Sequence, residues 1–504
     1  MHRAATFFFL ALSLLALFPT PTAAQDPAAE RLFAEALRVL EGGDPSSSLK
    51  ELQLLVQQFP TDRLAPKALL QIADIQRALG QREATVRALE QLRSEYGRSL
   101  ESAAAFVRQA EIEAEEARRV SDLEAARATF RRVPLLYGRE SYPELEDRVR
   151  ARLRTGEISL QLGDNATAVA ELLAAVEDEA ASHLTGRTRL LLATALTRTG
   201  EWVAAAEVLQ RLAAEEGAAT STEAERAAAI RQLSLIHRQV IRPQSGLPPW
   251  LSATRYPASG LQLKEPTGVA AAEDGRLVIV DQRLPLVALI GADGAFSESI
   301  ALRDAGRPGW SSGAAYTVTE TRILLPFVSQ ESPRFLEPVP GKEKPLKGLQ
   351  AAERGPFGDW FVLAKGWRSL LAFQSARQGQ ELLATSKPEP KDIAQDFLGR
   401  IYVLDGKGKQ VLRLGVDRRQ ADVLLEGAWR RPVAITVDLL GNLYVLDRGN
   451  RTIDLYDANG RKQSTLGPVL TGGIELRNPV DLAVDGSGRL FIADSKLPYV
   501  ILLD

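Results

Sequence analysis

The pattern of apolar positions changes its period once along the chain. From about residue 27 to 241, apolar side chains recur at i, i+3, i+4 and i+7, as in LFAEALRVLE and AAAEVLQRLAA, which predicts amphipathic helices. Over 263–504, short runs alternate apolar and polar positions, which predicts β-strands. The intervening stretch, 242–262, is rich in Pro, Gly and Ser and is predicted to be a linker. We therefore expect an α-helical domain followed by an all-β domain.

Glycines separate the predicted helices. In LGDNATAVAEL and TGEWVAAAEVL, Gly163 and Gly200 are each followed five positions later by a small residue, Ala168 or Ala205. A glycine can end a helix in the left-handed conformation, and a small residue lets the next helix pack closely. This spacing resembles tetratricopeptide repeats, and FPTDRLAPKALLQIADIQRALGQ is similar to the periplasmic kind. The resemblance implies an α-solenoid over 27–241, with a groove for a protein partner.

A short motif recurs in the strand region. GRLVIVD begins at 275, GRIYVLD at 399, GNLYVLD at 441 and GRLFIAD at 488. The spacing predicts two degenerate units between the first and second copies, at TRILLPF (321) and GDWFVLA (358). A period of about 40–50 residues built from short strands is typical of a β-propeller. The units resemble NHL repeats, and this resemblance implies a six-bladed propeller over 263–504.

The last predicted blade lacks an outer strand. The sequence ends at YVILLD, directly after that blade's third predicted strand. An unpaired edge would remain exposed unless another segment covered it. We therefore expect a segment within 250–264 to supply the missing strand and close the ring.

Composition and the first residues add an expectation about location. The 504-residue chain has no cysteine, which excludes disulfides, thiolate metal sites and a cysteine nucleophile, and its net charge of −2 indicates no particular partner. Residues 1–24 have a short basic start, an apolar run and the end Thr22-Ala23-Ala24, which predicts a signal peptide cleaved after Ala24. The alternative is an uncleaved anchor. The cleaved form would be a periplasmic or secreted protein with no transmembrane segment.

Candidate catalytic chemistry is sparse. The only histidines, His2, His183 and His237, lie outside the strand region, which excludes a zinc lyase of the kind built on NHL blades and any His-based triad there. No catalytic motif is recognised, so neither catalytic residues nor a cofactor are predicted. Asp392 and Asp481, on predicted inner strands, are weak candidates for a metal site. Calcium-dependent lactonase propellers use Glu, Asn and Asp there, and no matching inner-strand glutamate is recognised in this sequence.

The loops of one predicted propeller face carry two sets of residues. One set is four recurrent aspartates, and the other is basic and aromatic. The aspartates that end the second strands are interpreted as turn residues that accept backbone N–H bonds: Asp281, Asp405, Asp447 and Asp494. The same loops carry a candidate binding surface for an anionic partner. Its residues are Lys264, Arg283, Trp310, Lys407, Trp429, Arg430, Arg448, Arg451, Arg477 and Lys496.

These patterns favour a non-enzymatic scaffold protein of the cell envelope. The groove would hold one protein partner and the propeller face another, or an anionic envelope polymer, while export argues against nucleic acid. Two alternatives remain open: a calcium-dependent propeller hydrolase or lactonase, and a peptidoglycan- or polysaccharide-binding protein that uses Trp310 and Trp429.

Overall fold

The structure is a computed structural model. It describes residues 26–117, 120–215, 220–256, 261–311, 314–327, 346, 348–354, 360–365, 367, 369–373, 379–382, 390–396, 399–407, 409–414 and 421–504. The predicted signal peptide lies outside the described residues. Within them, no helix has both the length and the apolar character needed to cross a bilayer. The chain divides into two compact units, Met1–Glu111 and Ile112–Asp504.

The first part of the chain is helical, as the periodicity predicts. Its helices are α1 (Pro27–Glu41), α2 (Pro45–Gln58), α3 (Ala65–Ala78), α4 (Arg82–Glu95), α5 (Leu100–Glu116), α6 (Val120–Leu136), α7 (Glu146–Leu162), α8 (Asn165–Val176), α9 (Thr185–Thr199), α10 (Trp202–Ala213) and α11 (Glu223–Ile236). A π-helical turn, His237–Ile241, continues α11. Aspartate side chains begin several of these helices; Asp44, for example, accepts hydrogen bonds from the backbone N–H groups of Ser46 and Ser47.

The glycine–alanine spacing has the predicted structural role. Gly163 ends α7 with φ 80° and Gly200 ends α9 with φ 87°, both in the left-handed region. Ala168 and Ala205, five residues later, are fully buried in the core shared by α7–α11. The small residues therefore allow successive helices to pack closely.

The second part of the chain forms six sheets around a ring. Blade one is β2–β5 (Pro266–Ala271, Leu277–Asp281, Leu286–Ile290, Phe296–Ala301), blade two β6–β8 (Pro308–Ser311, Ala314–Val318, Ile323–Leu324) and blade three β9–β12 (Leu349–Arg354, Trp360–Ala364, Leu371–Phe373, Gly379–Glu381). Blade four is β13–β16 (Pro390–Gln395, Ile401–Asp405, Gln410–Leu414, Ala421–Glu426) and blade five β17–β20 (Pro432–Val437, Leu443–Asp447, Thr452–Tyr456, Lys462–Leu466). Blade six combines β21–β23 (Pro479–Val484, Leu490–Asp494, Val500–Leu503) with β1 (Ala253–Tyr256). The architecture is a six-bladed β-propeller.

Strand β1 completes the sixth blade. It pairs antiparallel with β23, from Ala253 opposite Leu503 to Tyr256 opposite Val500. The Tyr256 ring packs edge-on against Phe491 with ring centroids 5.5 Å apart. The segment expected to supply the missing strand therefore contains it, and the edge of β23 is covered.

The second blade differs from its prediction. TRILLPF at 321 is predicted to hold its second strand, but that strand is β7, and Ile323–Leu324 forms β8, the third strand. Strand β7 reads AAYTV, which is less apolar than TRILL, so a search for apolar runs selects the wrong segment. Its side chains are nonetheless buried, because the neighbouring blades cover both of its faces.

Helices of the second unit pack directly on the propeller. Arg238, in the π-helical turn, contacts blade six through Nη2 to the Asp504 carboxylate (2.6 Å) and Nε to the Ser487 carbonyl (3.3 Å). The Trp250 indole N–H donates to the Gly488 carbonyl at 2.9 Å. Leu440, in the first turn of blade five, packs on the core of α7–α11. Apart from the contact with Asp504, these contacts involve turns that follow the inner strands.

Candidate functional site

The recurrent aspartates fix the loops of one propeller face. Asp447 accepts from the backbone N–H groups of Arg430 and Arg431, at 2.7 Å each, and of Gly449 at 2.9 Å. Asp281 and Asp494 bind their own pairs of loops in the same way. All four aspartates are buried. They are therefore turn-forming residues, as predicted. Asp281, Asp447 and Asp494 also hold the loop before the inner strand against the loop after the second strand.

Fixing these loops presents basic side chains to solvent. We call this surface the basic face; its exposed members are Lys264, Arg283, Lys407, Arg430, Arg477 and Lys496. Two further predicted members are only partly exposed because they bind neighbouring loops. Arg448 Nε donates to the Asn478 side chain at 2.6 Å, and Arg451 Nη1 to the Glu475 carboxylate at 2.7 Å. These two arginines support the face and leave the other six available to a partner.

The two tryptophans do not belong to this face. Trp429 is 1% exposed in the core between blades four and five, and its indole N–H donates to Asp454 at 2.9 Å. Its position before Arg430 suggests a loop residue, but the large apolar ring is buried where the two sheets meet. Trp310 lies on the inner strand β6 and donates to the Ala270 carbonyl at 3.1 Å, with Arg276 stacked 4.9 Å over its ring. Both predicted placements are wrong.

An arginine lies between the two candidate metal ligands. Arg307, just before β6, forms ion pairs with Asp392 through Nη1 and with Asp481 through Nε, the latter at 3.5 Å. Its Nη2 donates to the Val433 carbonyl at 3.0 Å. Each aspartate also accepts a backbone N–H from the next blade, of Ile435 for Asp392 (2.8 Å) and of Val269 for Asp481 (3.1 Å). Arg307 thus connects blade two with blades four, five and six across the channel.

A glutamate that the sequence analysis missed completes this group. Glu353, on the inner strand β9, lies near Asp392, and the Tyr316 hydroxyl donates to it at 3.4 Å. Burial and the Asp392 charge raise the pKa of Glu353 to about 8. Burial also raises the pKa of Asp481, to about 7, against the opposing charge of Arg307. We call Arg307, Glu353, Asp392 and Asp481 the channel cluster.

The channel cluster does not suit a divalent cation. The guanidinium of Arg307 lies against both aspartates, so a metal bound there would meet a fixed positive charge. In the described part of the chain, no group of three or more His, Cys, Asp or Glu side chains is placed to hold a metal ion. The expectation that no inner strand carries a matching glutamate is wrong, because Glu353 lies on the inner strand β9. The sequence of blade three departs from the repeat pattern, so its inner strand is not recognised from the sequence.

The channel opens into a cavity of about 840 Å³ on the side opposite the basic face. Its wall includes Trp310, the channel cluster and the turns after the inner strands, with Arg231 of α11 at its edge. The arrangement provides charged side chains around a small aqueous space. Because these charges already pair with one another, the cluster acts first as a connection between blades.

Comparisons with known proteins support the repeat assignment in the helical part of the chain. The tetratricopeptide repeat family model matches residues 67–99. No curated protein matches the chain. Among solved structures, a protein of unknown function from Bacteroides thetaiotaomicron is 16% identical with a TM-score of 0.39, covering 50% of this chain and 72% of its own.

Two enzymes give similar values. A streptogramin B lyase is 12% identical with a TM-score of 0.38, covering 50% of this chain and 97% of its own. A gluconolactonase from Xanthomonas campestris is 15% identical with a TM-score of 0.39, covering 48% of this chain and 86% of its own. Likenesses at this level carry no argument about this chain. The chain contains a tetratricopeptide repeat and a six-bladed β-propeller.

Proposed function

We propose that this protein is an exported, non-enzymatic scaffold of the cell envelope whose basic face binds an acidic protein partner. The observation that carries the proposal is the basic face itself. Six exposed cationic side chains lie on loops whose backbones are fixed by buried aspartates. A prearranged surface loses little conformational entropy on binding, and its charge attracts acidic partners over a distance.

The packing of α9–α11 supports this assignment. The helices of the second unit contact the turns after the inner strands, such as Leu440 and Ser487, at the other end of the strands from Arg430 and Arg477. They therefore leave the basic loops accessible. The tetratricopeptide repeat at 67–99 supports a second protein-binding surface, since stacked helix pairs present an extended groove.

The test removes the charge without disturbing the loops. Lys264, Arg283, Arg430 and Arg477 would be changed together to Gln, which leaves their backbone N–H groups bound to the aspartates. The matched control changes the exposed helical arginines Arg38, Arg131, Arg187 and Arg211 to Gln. Binding to poly-L-glutamate, as an acidic polypeptide, and to polygalacturonate, as an acidic polysaccharide, would be measured at several salt concentrations.

We expect the unmodified chain to bind poly-L-glutamate with an affinity that falls as salt rises. The face variant should bind about tenfold or more weakly, and the control variant nearly normally. Tighter binding of polygalacturonate than of poly-L-glutamate would indicate that the partner is an acidic envelope polymer and not a protein. Equal binding by the face variant and the control would contradict the proposal.

Export has its own test. Cell fractionation with amino-terminal sequencing should find a mature chain that begins at Gln25, after cleavage at Ala24. A chain that retains Met1 in the cytoplasm would contradict the envelope location.

The alternatives have less support from the site geometry. A calcium-dependent hydrolase would require a cation where Arg307 lies. A sugar-binding protein would need an exposed Trp429 ring to contact the sugar, and that ring is buried.

A further inference from the structure

A second cavity lies where the helices meet the propeller. Its volume is about 730 Å³, and all of its walls belong to the unit Ile112–Asp504. The helical wall includes Asn165, Arg198 and Gln239, and the propeller wall includes Arg400, Arg413 and Asn442. Neither the basic face nor the channel cluster contributes to it.

Two guanidinium groups converge in this cavity. A methyl group placed on Gly441 would lie 3.5 Å from Arg198 Nη2 and 3.6 Å from Arg400 Nη2. Arg198 comes from α9 and Arg400 from the first turn of blade four. Burial and the positive charge of Arg400 lower the pKa of Arg198 to about 10. The two guanidinium groups therefore face one shared space, one from the helices and one from the propeller.

The nearby carboxylates are already engaged. Asp396 accepts from Arg400 Nε at 2.6 Å and from the Tyr402 hydroxyl at 3.3 Å. Asp438 accepts from Asn442 and Tyr444, both at 2.9 Å. Two other aspartates line the cavity: Asp457, which accepts from the N–H groups of its own turn, and Asp422, which is exposed opposite Arg413 on the neighbouring strand.

The same cavity also contains two buried hydrogen-bond donors. The Nη2 of Arg400 and the Nε2 of Gln239 are buried, and neither has a hydrogen-bond partner among the described residues. A buried donor without an acceptor costs free energy, so such groups indicate an acceptor that comes from outside the chain. The two donors lie on opposite walls, one on the propeller and one on the helices.

We propose that this cavity binds a small molecule through a carboxylate or phosphate group, held between Arg198, Arg400 and Gln239. Guanidinium forks match the geometry of both oxyanions, and an amide N–H supplies a neutral donor. Because the donors come from both modules, the bound anion joins the helices to the propeller. Its binding therefore stabilises their packing by mass action. This site is independent of the proposed scaffold function.

The test uses the full chain and simple probes. Sodium phosphate and sodium citrate would be titrated at constant ionic strength, set with sodium chloride, while heat release and thermal unfolding are recorded. We expect saturable binding of at least one probe and a rise in Tm; phosphate alone indicates a phosphorylated ligand, and citrate alone a carboxylate. Arg198→Met should weaken that binding about tenfold or more. The control Arg211→Met, at an exposed position on α10, should bind normally.

The rise in Tm on adding the bound probe gives a second readout. In Arg198→Met this rise should be smaller or absent at the same probe concentration, because the probe binds the folded chain more weakly. If this variant does not fold, Gln239→Leu replaces it, and the same weakening is expected. Unchanged binding in a folded Arg198→Met or Gln239→Leu variant would overturn the proposal. So would an absence of saturable binding of both probes to the unmodified chain at millimolar concentration.

Discussion

The propeller contains two kinds of buried aspartate, and they differ in what they bind. Asp447 and its counterparts accept backbone N–H groups from loops of their own blade. Asp392 and Asp481 each accept an N–H from the next blade and share the side chain of Arg307 from a distant one. The first kind shapes each blade separately, whereas the second connects blades across the channel. The first kind therefore stabilises the loops of a single blade, and the second stabilises the packing of the blades around the channel.

The largest effect should come from removing Arg307. Arg307→Met leaves Asp392 and Asp481 buried without their shared cation, and we expect the propeller to lose about 3–5 kcal/mol of stability. Urea unfolding followed by tryptophan fluorescence measures this loss. Adding Asp392→Asn and Asp481→Asn to the same chain should restore part of it, because the buried charges are then absent. No loss in the single variant would show that the cluster does not connect the blades.

A smaller effect is expected from one loop aspartate. Asp447→Ala removes the acceptor of three backbone N–H groups, and we expect a loss of about 2–4 kcal/mol. Asp447→Asn, which retains one acceptor oxygen, should lose less. Hydrogen exchange at Arg430, Arg431 and Gly449 should accelerate in both variants while other blades stay protected. Acceleration spread evenly over all six blades would remove the distinction between the two kinds of aspartate.

The channel cluster should also make stability depend on pH. The pKa of Glu353 is raised to about 8 in the folded protein, above its usual value near 4.5, so the folded state binds the proton more tightly than the unfolded state. Stability should fall as pH rises from about 4.5 to about 8, with Asp481 adding to the fall up to about pH 7. Glu353→Gln removes the contribution of Glu353 to this pH dependence. The Tm of the variant should therefore rise relative to that of the unmodified chain between pH 5 and pH 8. Parallel Tm profiles would contradict this prediction.

The smallest effect concerns metal. Since Arg307 lies where a channel cation would bind, a chelator such as EDTA should leave the Tm unchanged, and elemental analysis should find no stoichiometric calcium. Stoichiometric calcium that disappears in a chain carrying Asp392→Ala and Asp481→Ala would reverse this conclusion and favour the hydrolase alternative.

Features set within one blade could be predicted from the sequence, whereas those set between blades could not. GNLYVLD and its copies mark the position of a blade, because turn, second strand and aspartate all lie within a few residues of one another. In blade two, Ala and Thr occupy positions that hold larger apolar residues in the other blades. The sequence therefore predicts the second strand of this blade at TRILLPF, which forms the third strand. Trp429 was assigned to the surface because its neighbours are loop residues, although its ring fills the gap between two sheets.

By itself, the sequence determined the helical and strand domains, the blade period, the closing segment and the turn role of the repeated aspartates. All of these depend on contacts within a blade, on helix periodicity or on an unpaired edge. Only the tertiary structure decided that Arg307 joins Asp392 to Asp481, that Glu353 faces them, and that Arg198 meets Arg400. Those residues are far apart in the chain and have no shared motif, so their contacts arise only when the ring closes and the helices pack on it.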